Sequence, residues 1–102
     1  MTARLAAVAA LAVLALAGCT SHVTRCDGDS CTVDLSGAQT VEIELGGVER
    51  DLRVDPAGDA VTVAVRGESA RLAAGESAPV GGLLVRVDAV AGQDVELAVT
   101  RA

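Results

Sequence analysis

Three residues with ligand or redox chemistry stand close together: His22, Cys26 and Cys31, the two cysteines enclosing Asp27-Gly28-Asp29-Ser30. The enclosed tetrapeptide is made of turn formers, so a hairpin here would set the two sulfurs face to face. Oxidised, they would close a short loop whose chain entropy is worth roughly 2 kcal/mol. Reduced, His22, Cys26 and Cys31 make an H-x3-C-x4-C set suited to Zn²⁺ or a soft copper ion, with no fourth ligand evident. Thiol-exchange catalysis more usually employs C-x-x-C. His22 is the only histidine, and no serine or cysteine nucleophile stands in a recognisable setting around it. The expectation is therefore a protein that is not an enzyme and carries no cofactor. A second group, Glu42, Glu44, Glu49 and Asp51, offers several carboxylate oxygens of the kind Ca²⁺ takes, or simply a solvated acidic face.

The third cysteine belongs to a different context. Arg4 precedes an apolar run from Leu5 to Ala17, thirteen residues long, and the run stops at Gly18-Cys19. Thirteen is too short to span a bilayer, which takes about 20 apolar residues, and suits a secretory h-region followed by small residues at the cut. Leu16-Ala17-Gly18-Cys19 resembles the lipobox of bacterial lipoproteins, [LVI]-[ASTVI]-[GAS]-C, at all four positions. The resemblance implies that residues 1–18 are a signal peptide cut before Cys19. It also implies that the Cys19 sulfur carries a diacylglyceryl group and that the new amino terminus is open to acylation, palmitate being a typical chain. Two or three acyl chains on one residue give stable attachment, at about 0.8 kcal/mol per buried methylene. The implied location is the extracytoplasmic face of the cell membrane, and the membrane itself is the first expected partner. An exported domain meets an oxidising environment, and with Cys19 acylated the remaining cysteine count is even. Both considerations favour a Cys26–Cys31 disulfide.

Removing residues 1–18 leaves 84 of the 102 residues, enough for one domain. A chain of that size buries only about 60–65% of its unfolded surface and is marginally stable. There is no Phe, Tyr or Trp, so the core must come from Val, Leu, Ala and the single Ile43, without the area that aromatic rings bury. The absence of Lys and Asn beside abundant Ala, Val, Gly and Arg is what GC-rich codons produce, as in an actinobacterium. With Arg4 lost, seven arginines face fourteen acidic residues, a formal net charge of −7. Such a charge repels polyanions. Nucleic-acid binding wants basic patches and stacking aromatics, so no nucleic-acid partner is expected.

The elements that must position these groups read as strands. Val41, Ile43 and Leu45 alternate with Thr40, Glu42 and Glu44, and Val61, Val63 and Val65 alternate with Thr62, Ala64 and Arg66. Leu83, Val85, Val87 and Ala89 alternate with Leu84, Arg86, Asp88 and Val90, and Val95, Leu97 and Val99 alternate with Glu96, Ala98 and Thr100. Period two argues half-buried strands. Gly46-Gly47, residues 55–59, Gly81-Gly82 and Ala91-Gly92-Gln93 supply the turns. The pattern predicts an all-β fold, a small antiparallel sandwich or barrel over residues 26–102, with residues 19–25 as lipidated terminus and short polar tether. For the hairpin around Gly46-Gly47, a two-residue turn would set Glu44 against Glu49, Glu42 against Asp51 and Ile43 against Arg50. Like charges directly opposite are unfavourable. A four-residue loop, Gly46 to Glu49, is expected instead, placing Ile43 opposite Leu52, Val41 opposite Val54 and Glu42 opposite Arg53.

One internal stretch, residues 74–99, is similar without a gap to the early strands of the carbon storage regulator family, which carry a G-E-[ST]-x-x-[IV]-G turn before an alternating hairpin. Gly75, Glu76, Ser77, Val80 and Gly81 match it. The resemblance implies strands here. The RNA binding of that family is not implied, because its arginines before the Gly-Glu turn fall at Leu72 and Ala73. The sequence thus points to a membrane-anchored β domain with a binding or envelope-structural role toward an envelope protein or the cell wall. The alternative is a metal-handling lipoprotein using His22, Cys26 and Cys31.

Overall fold

A computed structural model describes residues 20–102; the expected signal peptide, residues 1–18, and Cys19 lie outside the described residues. Nine strands follow one another: β1 (Ser21–Asp27), β2 (Ser30–Ser36), β3 (Gln39–Leu45), β4 (Val48–Ala57), β5 (Ala60–Val65), β6 (Glu68–Ala73), β7 (Ser77–Val80), β8 (Leu83–Ala91) and β9 (Asp94–Arg101). They form two antiparallel sheets, β1-β2-β9-β8-β7 and β3-β4-β5-β6, packed face to face as a sandwich. The alternation dictates this arrangement. Each strand commits one face to the interior, and two such faces exclude water together.

The fully buried positions among the described residues are all aliphatic or Cys31, and none is polar or charged. Val33, Leu35, Val85, Val87, Leu97 and Val99 of the first sheet meet Val41, Ile43, Leu45, Leu52, Val54 and Val63 of the second. Burying one such side chain fully contributes about 1.5–3 kcal/mol. β-branched valine dominates because it fits a pleated surface with little rotamer loss.

Two short links carry the chain between the sheets. At the first, Gly37 N–H donates to the Gln93 carbonyl at 2.9 Å. The Gln39 side-chain amide donates to the Ser21 and Ser36 carbonyls, both at 2.9 Å, which uses its two hydrogens and ties the link to β1. At the second, Gly75 N–H donates to Val87 O at 2.7 Å and Val87 N–H to Glu76 O at 2.9 Å. Here the Glu76 carboxylate also accepts from Ala73 N–H at 2.7 Å, closing the Gly-Glu turn that the sequence marks.

Three expectations are corrected. Residues 21–25 are not a tether but most of β1, paired along its whole length with β2 from Ser21↔Ser36 to Asp27↔Ser30. The β3–β4 hairpin takes the two-residue turn: Leu45 pairs with Val48, Glu44 with Glu49, Ile43 with Arg50, Glu42 with Asp51 and Val41 with Leu52. Gly46 and Gly47 have φ of 56° and 82°. That is the type I′ geometry whose twist matches the flanking strands, and glycine adopts it without a Cβ penalty. The opposed carboxylates point to solvent, where repulsion is screened. Arg50, set against Ile43, sends its guanidinium outward to the Gly81 carbonyl at 3.2 Å. Third, a bulge between Val87 and Ala89 shifts the β8 register, so that Ala89 pairs with Glu96 and Val90 with Val95. Beyond Asp88 it is Val90, not Ala89, that packs against the core.

Candidate functional site

Cys26 and Cys31 are directly opposed on β1 and β2 and are joined as a disulfide, with Cα atoms 4.0 Å apart. The two-residue turn Gly28-Asp29 brings them there, as the turn-forming tetrapeptide suggests. Cys31 is buried in the sandwich and Cys26 is exposed at its edge. In this oxidised state neither sulfur is a thiolate, so the ligand set of the metal alternative is not formed. His22 lies across from Leu35, and its Nδ1 is 2.9 Å from the Gln39 side-chain oxygen. Glu42, Glu44, Glu49 and Asp51 are exposed on the outer face of the second sheet. Among the described residues, no three His, Cys, Asp or Glu side chains are grouped so as to hold a metal ion.

The structure brings together a site that the sequence does not announce. Pairing across β1, β2, β9 and β8 lines up Val23, Asp34, Glu96 and Ala89 in one outward row. The row below it, in the same order, is Ser21, Ser36, Asp94 and Ala91. All of these but Ser36 line a shallow groove of about 450 Å³, together with His22, Leu35 and Val95; Val23, Ala89 and Ala91 supply apolar surface and Asp34, Asp94 and Glu96 the carboxylates. Val23 is 54% exposed, and with Leu84 it is one of two large hydrophobic side chains left open to solvent among the described residues, both on this face.

The bulge at Asp88 turns Ala89 outward, opening the floor; Asp88 itself is held by Arg86 at 2.8 Å. Asp34 and Glu96 stand directly opposite one another, and neither they nor Asp94 form an ion pair among the described residues. The other ion pair, Arg53–Asp55 at 2.9 Å, lies on the second sheet, where hydrogen bonding and attraction to Asp55 raise the Arg53 guanidinium above its ordinary value. A groove with an apolar floor and unpaired carboxylates suits a partner offering a cation beside an aliphatic surface. Ser21 and His22 also line it, and the His22 Nδ1 is taken up by the Gln39 side-chain oxygen. Sequence reasoning missed it because β2 and β9 are far apart in the chain, and because Val23 has no apolar i±2 neighbour to flag a strand.

No protein-family model matches this chain, and comparison with curated proteins and with solved structures returns no significant match.

Proposed function

We propose that the chain is a lipid-anchored, extracytoplasmic β domain that works by binding within the cell envelope rather than by catalysis. The observation that carries this reading is Leu16-Ala17-Gly18-Cys19 at the end of a thirteen-residue apolar run. Two structural facts support it. The Cys26–Cys31 disulfide suits an oxidising compartment. β1 begins at Ser21, so only Thr20 separates it from Cys19, and an acylated Cys19 would seat the domain on the bilayer instead of extending it on a tether. The groove beside Val23 then supplies a binding surface close to the membrane for a partner that carries positive charge.

The test is metabolic labelling with a palmitate analogue in a bacterial host, comparing the parent chain with Cys19→Ala. Label on the parent, and an unlabelled, uncleaved precursor for the variant, is the expected result. Equal labelling of both, or none of either with normal cleavage, would overturn the anchor.

A further inference from the structure

Of the four sheet edges, two are plainly defended. β7 is four residues long and contains Pro79. β3 presents Glu42 and Glu44 outward; β6 carries one acidic and one basic residue, Glu68 and Arg71, as β1 does, but exposes no large hydrophobic side chain. Short length, proline and charge are how proteins prevent a free edge from recruiting another strand. β1 is different. It runs seven residues, Ser-His-Val-Thr-Arg-Cys-Asp, with no proline, no bulge, one positive and one negative charge, and exposed Val23 near its centre.

The direction of its free backbone groups follows from the hairpin. In a two-residue hairpin the pair closing the turn, here Asp27↔Ser30, exchanges both backbone bonds, and bonded and non-bonded pairs then alternate. Cys26↔Cys31 is thus a non-bonded pair. Its Cα separation of 4.0 Å agrees, being nearer the ~4.5 Å of such pairs than the ~5.5 Å of bonded ones. Consequently the N–H and C=O groups of His22, Thr24 and Cys26 point away from β2, into the open edge.

We propose that β1 is the seam of a homodimer, two copies pairing antiparallel about a two-fold axis at Thr24. That register pairs the whole strand with its equivalent. It sets Thr24 against the second copy's Thr24, His22 against Cys26, Val23 against Arg25 and Ser21 against Asp27, so no like charges oppose one another. All three outward-pointing residues of each copy exchange bonds, and the two five-stranded sheets become one. Charge argues for a second copy over an unrelated strand. Pairing Val23 with the second copy's Arg25 places that guanidinium in the row Val23–Asp34–Glu96–Ala89, two strand spacings or roughly 10 Å from Asp34. Extended over Val23, it approaches Asp34, which forms no ion pair among the described residues. The groove is then the place where each copy receives the other's Arg25. Antiparallel pairing sets the two Ser21 ends about 20 Å apart, six residues at ~3.3 Å each. With both chains anchored, β1 would lie along the bilayer surface.

The experiment uses the full chain, expressed in bacterial membranes and extracted in detergent. A Val23→Cys, Arg25→Cys double variant should, under mild oxidation, run at twice the monomer mass on a non-reducing gel. Peptide mapping should find position 23 of one copy joined to position 25 of the other. Each single variant should run as monomer, because equivalent positions are diagonal at about 7–8 Å, outside disulfide reach. A second variant separates edge pairing from folding: Thr24→Pro removes an N–H that faces the free edge, which an edge strand tolerates. It should sediment at half the parent's mass with its circular dichroism unchanged. A parent that sediments as a monomer, a double variant that does not cross-link, linkage in another register, or cross-linking of position 25 to a different protein would each overturn the proposal. A Thr24→Pro chain that folds and remains dimeric would do the same.

Discussion

Gly81 is the position where the two sheets leave no room for a side chain. It opens the β7–β8 turn with φ of 55°, and a Cβ placed there would stand 2.5 Å from Val65 Cγ1 and 2.6 Å from the Val65 carbonyl oxygen. Its N–H donates to the Glu68 carboxylate at 3.0 Å and its carbonyl accepts from Arg50 Nε at 3.2 Å, so it cannot retreat without losing both. Gly67 is the matching control, with φ of 83° and nothing within 4 Å of its Cβ site. An alanine in the left-handed region costs about 1–2 kcal/mol, offset by ~0.4–1 kcal/mol from the stiffer unfolded chain. Gly67→Ala should therefore lose about 0.5–1 kcal/mol. Gly81→Ala carries the same conformational cost plus overpacking of about 1–3 kcal/mol, for a total of about 1.5–4 kcal/mol. For a domain of this size each kcal/mol moves the melting temperature by roughly 4–8 °C. With no aromatic residue to report by fluorescence, the assay is far-UV circular dichroism of residues 20–102 during urea and thermal unfolding. Equal losses from the two alanines, within about 0.5 kcal/mol, would refute the claim that Val65 closes the site and leave only backbone conformation.

The disulfide and the Gln39 clamp give two further expectations. Cys26→Ser with Cys31→Ser should lower stability by about 2 kcal/mol, the loop-closure value for so short a loop, shifting the melt on the order of 8–16 °C while leaving the folded spectrum intact. An unchanged melting temperature would remove the disulfide from the stability account. Gln39→Ala deletes the bonds to Ser21, Ser36 and His22 and should cost about 1–2 kcal/mol. Amide exchange should accelerate in the first residues of β1 ahead of β8 or β9; uniform acceleration would show that the clamp is not local.

How much of this was legible beforehand depends on which physical signal each element carries. β3, β5, β8 and β9 announce themselves, because valine and leucine at every second position leave no other way to be half-buried. β6 does not. Its inward face is only Ala70 and Leu72, and alanine carries too little apolar contrast to mark a period. The turn after β5 was equally silent, since Arg66 takes φ of 52° where glycine or asparagine is the usual signal. β1 reads as a tether in the sequence because its inward positions, His22 and Thr24, are polar. Thr24 even keeps its hydroxyl oxygen buried without a partner.

The β3–β4 register shows where sequence reasoning weighed the wrong quantity. The expected and observed registers differ by two residues at the partner strand, and a shift of two leaves every side chain on its original face. Burial is therefore blind to the choice, with Val41, Ile43, Leu45, Leu52 and Val54 inside under either pairing. What remains is solvent-side repulsion between Glu44 and Glu49 and between Glu42 and Asp51, set against the turn. Exposed like charges cost a few tenths of a kcal/mol to about 1, whereas a glycine pair already suited to the I′ conformation favours the tight turn and keeps both flanking residues in the ladder. The same logic explains the outer face of the first sheet. Asp34 and Glu96 are tolerated opposite one another because solvent screens them, and they stay available to a cation for the same reason. Charge in this fold is decided after the turns and the aliphatic faces, so its unpaired members mark where a partner can still contribute.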